Sequence, residues 1–445
     1  MKHQLDWSSY ETAGQGDAYA GIPASGGNFA KAVAVCISDR LCQRKPKGVM
    51  CPSFRATDAP GQSPGGRVLL LKAALNGELG EASFTDPRLA AAMDLCVGCK
   101  GCKRECANQV DMAAIKIEYQ AQRNLALGTP RRDRLFAALP RLLAQHGGLL
   151  RQLVKLRNRL PLLARLGERW LGISARRTLP EPSPEAYQPP AAGNADGREV
   201  MLFVDTFARH FDPAIARAAH AVLSAAGYRV ISLEPSAADV APSRPLCCGR
   251  TYLSLGQIEA ARAEAQRMHT ALRPALEAGI PIVGLEPSCI LSLRDDHLKL
   301  GLGADAERLA KQVYLFEEFI AREHDRKQLQ LKLKPLPAGK TLVHGHCHQK
   351  AVGAMKSLRK VLRLIPDFEF EFIEASCCGM AGSFGLDAEH RDISLQMAEL
   401  DLLPALRRAP DAIVLANGFS CRHQILEGVE RQAQHVALLL ERALA

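Results

Sequence analysis

The chain of 445 residues is predicted to be α+β, with a helical, cysteine-bearing module followed by a duplicated α/β unit. Three observations predict this. Seven of the fourteen cysteines fall within residues 31–125, among stretches of helical periodicity. Residues 199–445 alternate short apolar runs with helical stretches, as mostly parallel sheets require. Within them Cys-Cys-Gly recurs at 247–249 and 377–379, the two doublets standing 130 residues apart.

Residues 1–30 are Gly- and Ser-rich and read as an extended N-terminal segment without an apolar signal core. Residues 31–125 form the first domain. Within it GGRVLLLKAALNGEL and DMAAIKIEYQAQRNLAL read as helices, the second with Asp111 near its start. Residues 126–198 are a basic helical segment and a Pro-rich linker; Pro140, Gly147–Gly148 and Pro161 should break the helical part into short pieces. Residues 199–330 and 331–445 are the two halves of the repeat. EVMLFVD and IPIVGLEPSC supply strands in the first half, TLVHGHCHQ and AIVLANGFSC in the second.

Composition excludes several classes. No apolar run approaches the roughly 18–20 residues that span a bilayer, so a cytoplasmic protein is expected. Fourteen clustered cysteines in so long a chain point to metal, not to a secreted disulfide scaffold. The net charge of +10 sits in residues 131–177, which hold twelve Lys and Arg against Asp133 and Glu168. That stretch lacks aromatic stacking platforms, so nucleic acid is not expected. Its Leu-rich helices suit a partner subunit, or peripheral contact with the inner membrane face.

Cys96, Cys99, Cys102 and Cys106 form C-x2-C-x2-C-x3-C. Three thiolates at that step wrap one iron–sulfur cube, and the fourth reaches the same cube or a neighbour. A zinc site favours two separated Cys pairs. Cys36, Cys42 and Cys51 precede them as C-x5-C-x8-C-P. By the logic of a ferredoxin-like run, Cys51 joins Cys96, Cys99 and Cys102 on one 4Fe-4S cluster, and Cys106 crosses back to Cys36 and Cys42. That second site has three thiolates, for a 3Fe-4S cluster, a 4Fe-4S cluster with another ligand, or none. The alternative is one cluster on Cys96, Cys99, Cys102 and Cys106.

Adjacent cysteines offer two sulfurs to one centre, and the following Gly turns the backbone tightly. Cys347, Cys377, Cys378 and Cys421 make four thiols in the second half; Cys247, Cys248 and Cys289 make three in the first, with Asp205 in the place of Cys347. Zinc or a further iron–sulfur cluster would suit them, and small buried hydrophobes are the plainer reading. His344, His346, His348 and His423 flank these thiols as sulfur hydrogen-bond donors, proton carriers or merely satisfied histidines. GLGADA at 301–306 fits a dinucleotide loop, but charged RDDHLKL precedes it where a buried strand is needed, so no FAD or NAD site is expected in this chain.

LDWSSY, MCPSFRATD, DLCVGCKGCKREC, LCCGRTYLS, GLEPSC, HGHCHQKA, CCGMAGSFG and SCRHQ together resemble the iron–sulfur portion of FAD-linked D-2-hydroxyacid dehydrogenases of the D-2-hydroxyglutarate and D-lactate type. Glycolate oxidase iron–sulfur subunits and heterodisulfide reductase subunits are more distant likenesses. The resemblance implies an electron-transfer subunit with no catalytic residue of its own. A separate FAD-binding dehydrogenase subunit would be its donor, and a quinone, a cytochrome or an electron-transfer flavoprotein its acceptor. Ala107 stands where the family commonly has Pro, and Glu286 and Gly418 stand at the missing first cysteine of each closing C-x-x-C. These departures weaken the rival expectation of a heterodisulfide-type thiol/disulfide oxidoreductase. A zinc-stabilised binding protein is the other rival.

Overall fold

The computed structural model describes residues 2–14, 21–44, 48–80, 82–190 and 196–445. It is α+β, as expected, with helices throughout and two small parallel sheets.

Up to residue 190 the named elements are all helical. Helix α1, Pro64–Leu75, starts with proline behind a Ser63 cap whose side chain accepts from the Gly66 amide. Helix α2, Gly101–Glu105, continues directly from the cysteine loop. Helix α3, Met112–Leu127, is capped by Asp111, which accepts from the Ala114 amide, and ends at Gly128 with φ 78°. The N-terminal segment lies on α3: the Leu5 amide and the Trp7 indole both donate to the buried Glu118 carboxylate.

The basic segment forms α4, Arg131–Ala137, α5, Leu139–Arg159, and α6, Pro161–Leu171. Pro140 and Pro161 stand in first turns, where a missing N–H costs nothing. The break expected at Gly147–Gly148 falls one residue earlier, at His146, whose φ −136° and ψ 28° are not helical. Helix α5 is thus two helical pieces meeting at a kink beside the two glycines, which are poor helix formers. The Pro-rich stretch after α6 is laid on the first sheet, with Tyr187 fully buried and its hydroxyl 3.4 Å from Ser232 Oγ.

The first sheet holds β1 (Arg198–Phe203), β2 (Tyr228–Ser232), β3 (Ile282–Gly284) and β4 (Val313–Leu315), in the order β2-β1-β3-β4. The second holds β5 (Thr341–Val343), β6 (Phe370–Phe372), β7 (Ile413–Leu415) and β8 (Ala433–Gln434), in the order β6-β5-β7-β8. All pairings are parallel. The halves pack reciprocally. The helix after β1, Pro213–Ala225, meets the one after β8, Val436–Arg442; the helix after β4, Phe316–Asp325, meets Met355–Leu362, beyond β5. One apolar core runs through this contact, from Val200 and Leu202 to Val343 and Leu415. Each half therefore turns the carboxyl ends of its strands toward the same central region, where open parallel sheets place their ligand sites.

Candidate functional site

All fourteen cysteines are free, and twelve are buried. Four local groups emerge, and backbone geometry makes each. In the first, Gly98 (φ 57°) and Lys100 (φ 60°) turn the chain twice between Cys96 and Cys102, so that three thiols face one point. Cys51, just before the helix Pro52–Thr57, faces them from the other side. Cys51, Cys96, Cys99 and Cys102 wall one small cavity together with Arg67. That arginine is 1 % exposed, lies 3.6 Å from Cys51 Sγ and donates to Ser53 Oγ (2.9 Å) and to the Ala92 carbonyl (2.7 Å). Burial opposes its charge, but the Cys96, Cys51 and Cys102 sulfurs outweigh that cost. Burial pushes the Cys99 and Cys102 thiols well up. Four packed sulfurs around one cation and one cavity fit a metal cluster, which holds thiolates that burial alone would protonate.

The second group is Cys36, Cys42 and Cys106. Burial raises the Cys36 thiol, and Cys42 and Cys106 add to the rise through charge. Cys42 accepts from the Gly65 amide at 3.4 Å and is close enough to Cys51 to feel it. Cys42 and Cys106 are only half buried, so this group lies nearest the surface.

The third group is Cys347, Cys377, Cys378 and Cys421. Cys347 opens the helix Cys347–Ala351 after β5, and Cys421 lies in the helix Phe419–Val429 after β7. Gly379 has φ 84°, and a Cβ there would stand 2.1 Å from the Ser394 carbonyl oxygen, so the doublet must be followed by glycine. Hydrogen bonds from Cys377 and Cys421, then from His344, draw the Cys378 thiol well below its usual range. Lys350 is the local cation: burial lowers its ammonium, while Cys421, Cys347, Cys377 and Cys378 pull the other way.

The fourth group is Cys247, Cys248 and Cys289. Cys248 bonds to both of the others through sulfur. Asp205 stands in the place of Cys347, but its carboxylate is engaged: Oδ1 accepts from the Phe207 (2.9 Å) and Ala208 (3.0 Å) amides and Oδ2 from that of Glu286 (3.2 Å). The His269–His297 pair backs this loop, with His297 Nε2 2.9 Å from the Cys248 carbonyl.

The groups adjoin one another. Cys99 and Cys347 share an apolar cluster and feel each other's charge. His348 Nε2 lies 3.1 Å from the Gly98 carbonyl and ties the two loops together. Lys100 Nζ reaches Asp295 (2.8 Å) and Asp296 (2.7 Å), and Arg250 completes the network at 2.9 Å from Asp296. Between the halves lies a cavity of about 650 Å³, bordered by both doublets, Cys289, Cys347 and Glu286. Glu286 spans it. Its Oε2 accepts from the Phe419 amide (2.7 Å) and its Oε1 from Ser288 Oγ (2.9 Å); burial and then Asp205 push it up to about 7.

Of the expected histidines, His344 meets sulfur. His346 accepts from the His348 amide, and His423 lies 2.9 Å from the Thr178 carbonyl, so both are satisfied locally. GLGADA follows a 3-10 turn, Asp296–Lys299, where a dinucleotide loop requires a strand. Sequence pattern does not single out Arg67 and Lys350. Arg67 shares its helix with Lys72, and Lys350 follows His348 and Gln349, so neither stands out from its neighbours.

Residues 341–425 match the family described as a cysteine-rich domain, CCG. The chain is 29 % identical over 281 residues to a subunit of the anaerobic glycerol-3-phosphate dehydrogenase of Escherichia coli K12, an alignment that takes in 62 % of this chain and 68 % of that one. It is similar to dehydrogenase subunits. The resemblance to D-2-hydroxyglutarate dehydrogenase also holds: the E. coli K12 protein is 24 % identical over 444 residues, 88 % of this chain and 41 % of that protein, so this chain spans about two fifths of its length. A probable glycolate oxidase iron–sulfur subunit of Bacillus subtilis is 24 % identical over 428 residues, 88 % of this chain and 91 % of that one. With the fourteen cysteines, these similarities support an oxidoreductase component in iron–sulfur electron transport. No helix among the described residues is long and apolar enough to cross a membrane.

Proposed function

We propose that this chain is the electron-relay subunit of an alcohol-oxidising dehydrogenase. A partner flavoprotein would oxidise a D-2-hydroxyacid or a comparable secondary alcohol such as glycerol 3-phosphate, and this chain would carry the electrons to a respiratory acceptor. The observation that carries it is the grouping of the thiols: a trio of which Cys42 and Cys106 are partly exposed and Cys36 is buried, a buried quartet behind it, and a second quartet that begins at Cys347 beside Cys99. Cys51, Cys96, Cys99 and Cys102 would hold one 4Fe-4S cluster, and Cys36, Cys42 and Cys106 a second, three-thiolate one. Cys347, Cys377, Cys378 and Cys421 would hold zinc or a further cluster, with Cys247, Cys248 and Cys289 as a weaker fourth site.

Iron–sulfur clusters supply one-electron relay stations. The chain's residues fix their place and tune them. Arg67 and Lys350 set positive charge beside the sulfurs, the amides of Gly65, Gly249 and Gly379 point at the sulfurs of Cys42, Cys247 and Cys377 from 3.4 Å, and burial excludes water. Cys99→Ser is expected to abolish electron flow to the acceptor while the flavoprotein still reduces a dye with its substrate. Unchanged flow in the mutant complex would refute the assignment.

A further inference from the structure

The central cavity reaches well beyond the cysteine doublets. It passes the Cys96–Gly98 loop to α3, where Tyr119 and Arg123 line it. Tyr119 is 2 % exposed, yet its hydroxyl has no hydrogen-bond partner among the described residues, and neither has the buried Nε of Arg123. Burial pushes the phenol up to about 12, so it keeps a proton to donate. Two unused buried donors on one wall are costly unless a ligand brings an acceptor oxygen.

The cavity lining is mixed along α4, with Arg132 and Asp133, and apolar along α5. Phe136 of α4 and Leu142, Leu150 and Val154 of α5 face the cavity. Helix α5 is apolar on its outer side too: Leu149, Leu153 and Leu156 are 62 %, 53 % and 48 % exposed. Leu162 and Trp170 extend that surface along α6 at 69 % and 70 %. Arg151, Lys155, Arg165 and Arg169 are interspersed. A helix apolar on both sides, with one side bare, suits a lipid surface, and the basic residues suit anionic headgroups.

We propose that this cavity binds a lipid-soluble quinone, its carbonyl oxygen on Tyr119 Oη and Arg123 Nε, its ring against Phe136, and its tail leaving past α5 toward the membrane. A cavity of about 650 Å³ lies within the range of small-molecule sites. Reduction adds two electrons and two protons across the two carbonyls to give the hydroquinone, and no bond of the protein changes. The electrons are those the partner flavoprotein takes from its substrate, and the protons come from water. The inference rests on the relay function proposed above, whose acceptor it specifies.

The test uses full-length protein purified without oxygen, reduced with dithionite and desalted so that no free dithionite remains to reduce the acceptors directly. Binding is read from fluorescence quenching of a hydroxyquinoline N-oxide quinone analogue; electron transfer is read as the rate at which decylubiquinone reoxidises the reduced protein relative to the rate with ferricyanide in the same preparation. Saturable binding, weakened about tenfold in Tyr119→Phe and in Arg123→Gln, with a matching fall in the quinone-to-ferricyanide ratio, is expected. Tyr119→Phe alone suffices if the arginine variant does not fold. Ferricyanide reduction without saturable analogue binding would overturn the quinone site and leave the relay standing. Analogue binding that both variants leave unchanged would overturn the placement on α3. Variant-sensitive binding in a preparation that reduces neither acceptor would support the site and count against the relay.

Discussion

Lys100 sits between two cluster-loop cysteines, is 5 % exposed, and neutralises Asp295 and Asp296 across the junction with the repeat. Buried charges of this kind are costly to unpair, because the stranded partner keeps its desolvation penalty. Asp296→Asn is expected to cost about 3 kcal/mol, measured as a shift in the urea midpoint. A second junction is pH-sensitive. Against the opposing effect of burial, Asp387 and Asp94 push His390 up to about 9, with Nε2 2.6 Å from Asp94 and Nδ1 3.1 Å from Asp387. A raised histidine stabilises the fold fully below its unfolded value of about 6.5, and that stability is lost as pH climbs through about 9. With solvent screening at the exposed Asp94, the loss should be on the order of 1–2 kcal/mol. His390→Gln is expected to flatten the stability profile between those pH values, and an unchanged slope would contradict the pairing.

At the scale of elements, each Cys-Cys-Gly loop depends on a residue without a side chain. Gly379→Ala forces a methyl against the Ser394 carbonyl in a left-handed conformation and should cost about 3 kcal/mol, with loss of metal from the neighbouring thiols. Metal analysis of the variant checks this. Much of the element pattern was legible. The runs EVMLFVD, IPIVGL, TLVH and AIVL became β1, β3, β5 and β7, the buried inner strands whose apolar composition is unmistakable. The outer strands β2, β4, β6 and β8 were not, since polar or half-buried residues interrupt them: Tyr228–Ser232 reads YRVIS, Val313–Leu315 reads VYL, Phe370–Phe372 reads FEF, and Ala433–Gln434 is two residues long. The thiols were legible because their spacing is local. Arg67, Lys350, Tyr119 and Arg123 were not, because only tertiary packing brings them to the site.

At the scale of the molecule, the two halves face each other about an approximate two-fold relation, and the helical module is clamped over their junction. Arg55–Asp401, His348–Gly98 and the Lys100 network hold the clamp at three separate points. That arrangement sets the thiol groups in sequence from Cys42 and Cys106 at the surface to the central cavity, so the flavoprotein should dock near the former. Charge reversal at Arg40 or Arg104, which lie within the sequence of that trio, is expected to raise the KM for the proposed flavoprotein partner several-fold and to change its salt dependence, while leaving the reoxidation of pre-reduced, desalted protein by ferricyanide intact. Iron, acid-labile sulfide and zinc counted per chain on oxygen-free protein, with electron paramagnetic resonance of its oxidised and reduced forms, test the relay most directly. About seven or eight irons with about eight sulfides are expected from the two clusters proposed for the helical module, and a three-iron signal on oxidation if the surface trio holds the smaller one. Colourless protein holding zinc and no iron would contradict it.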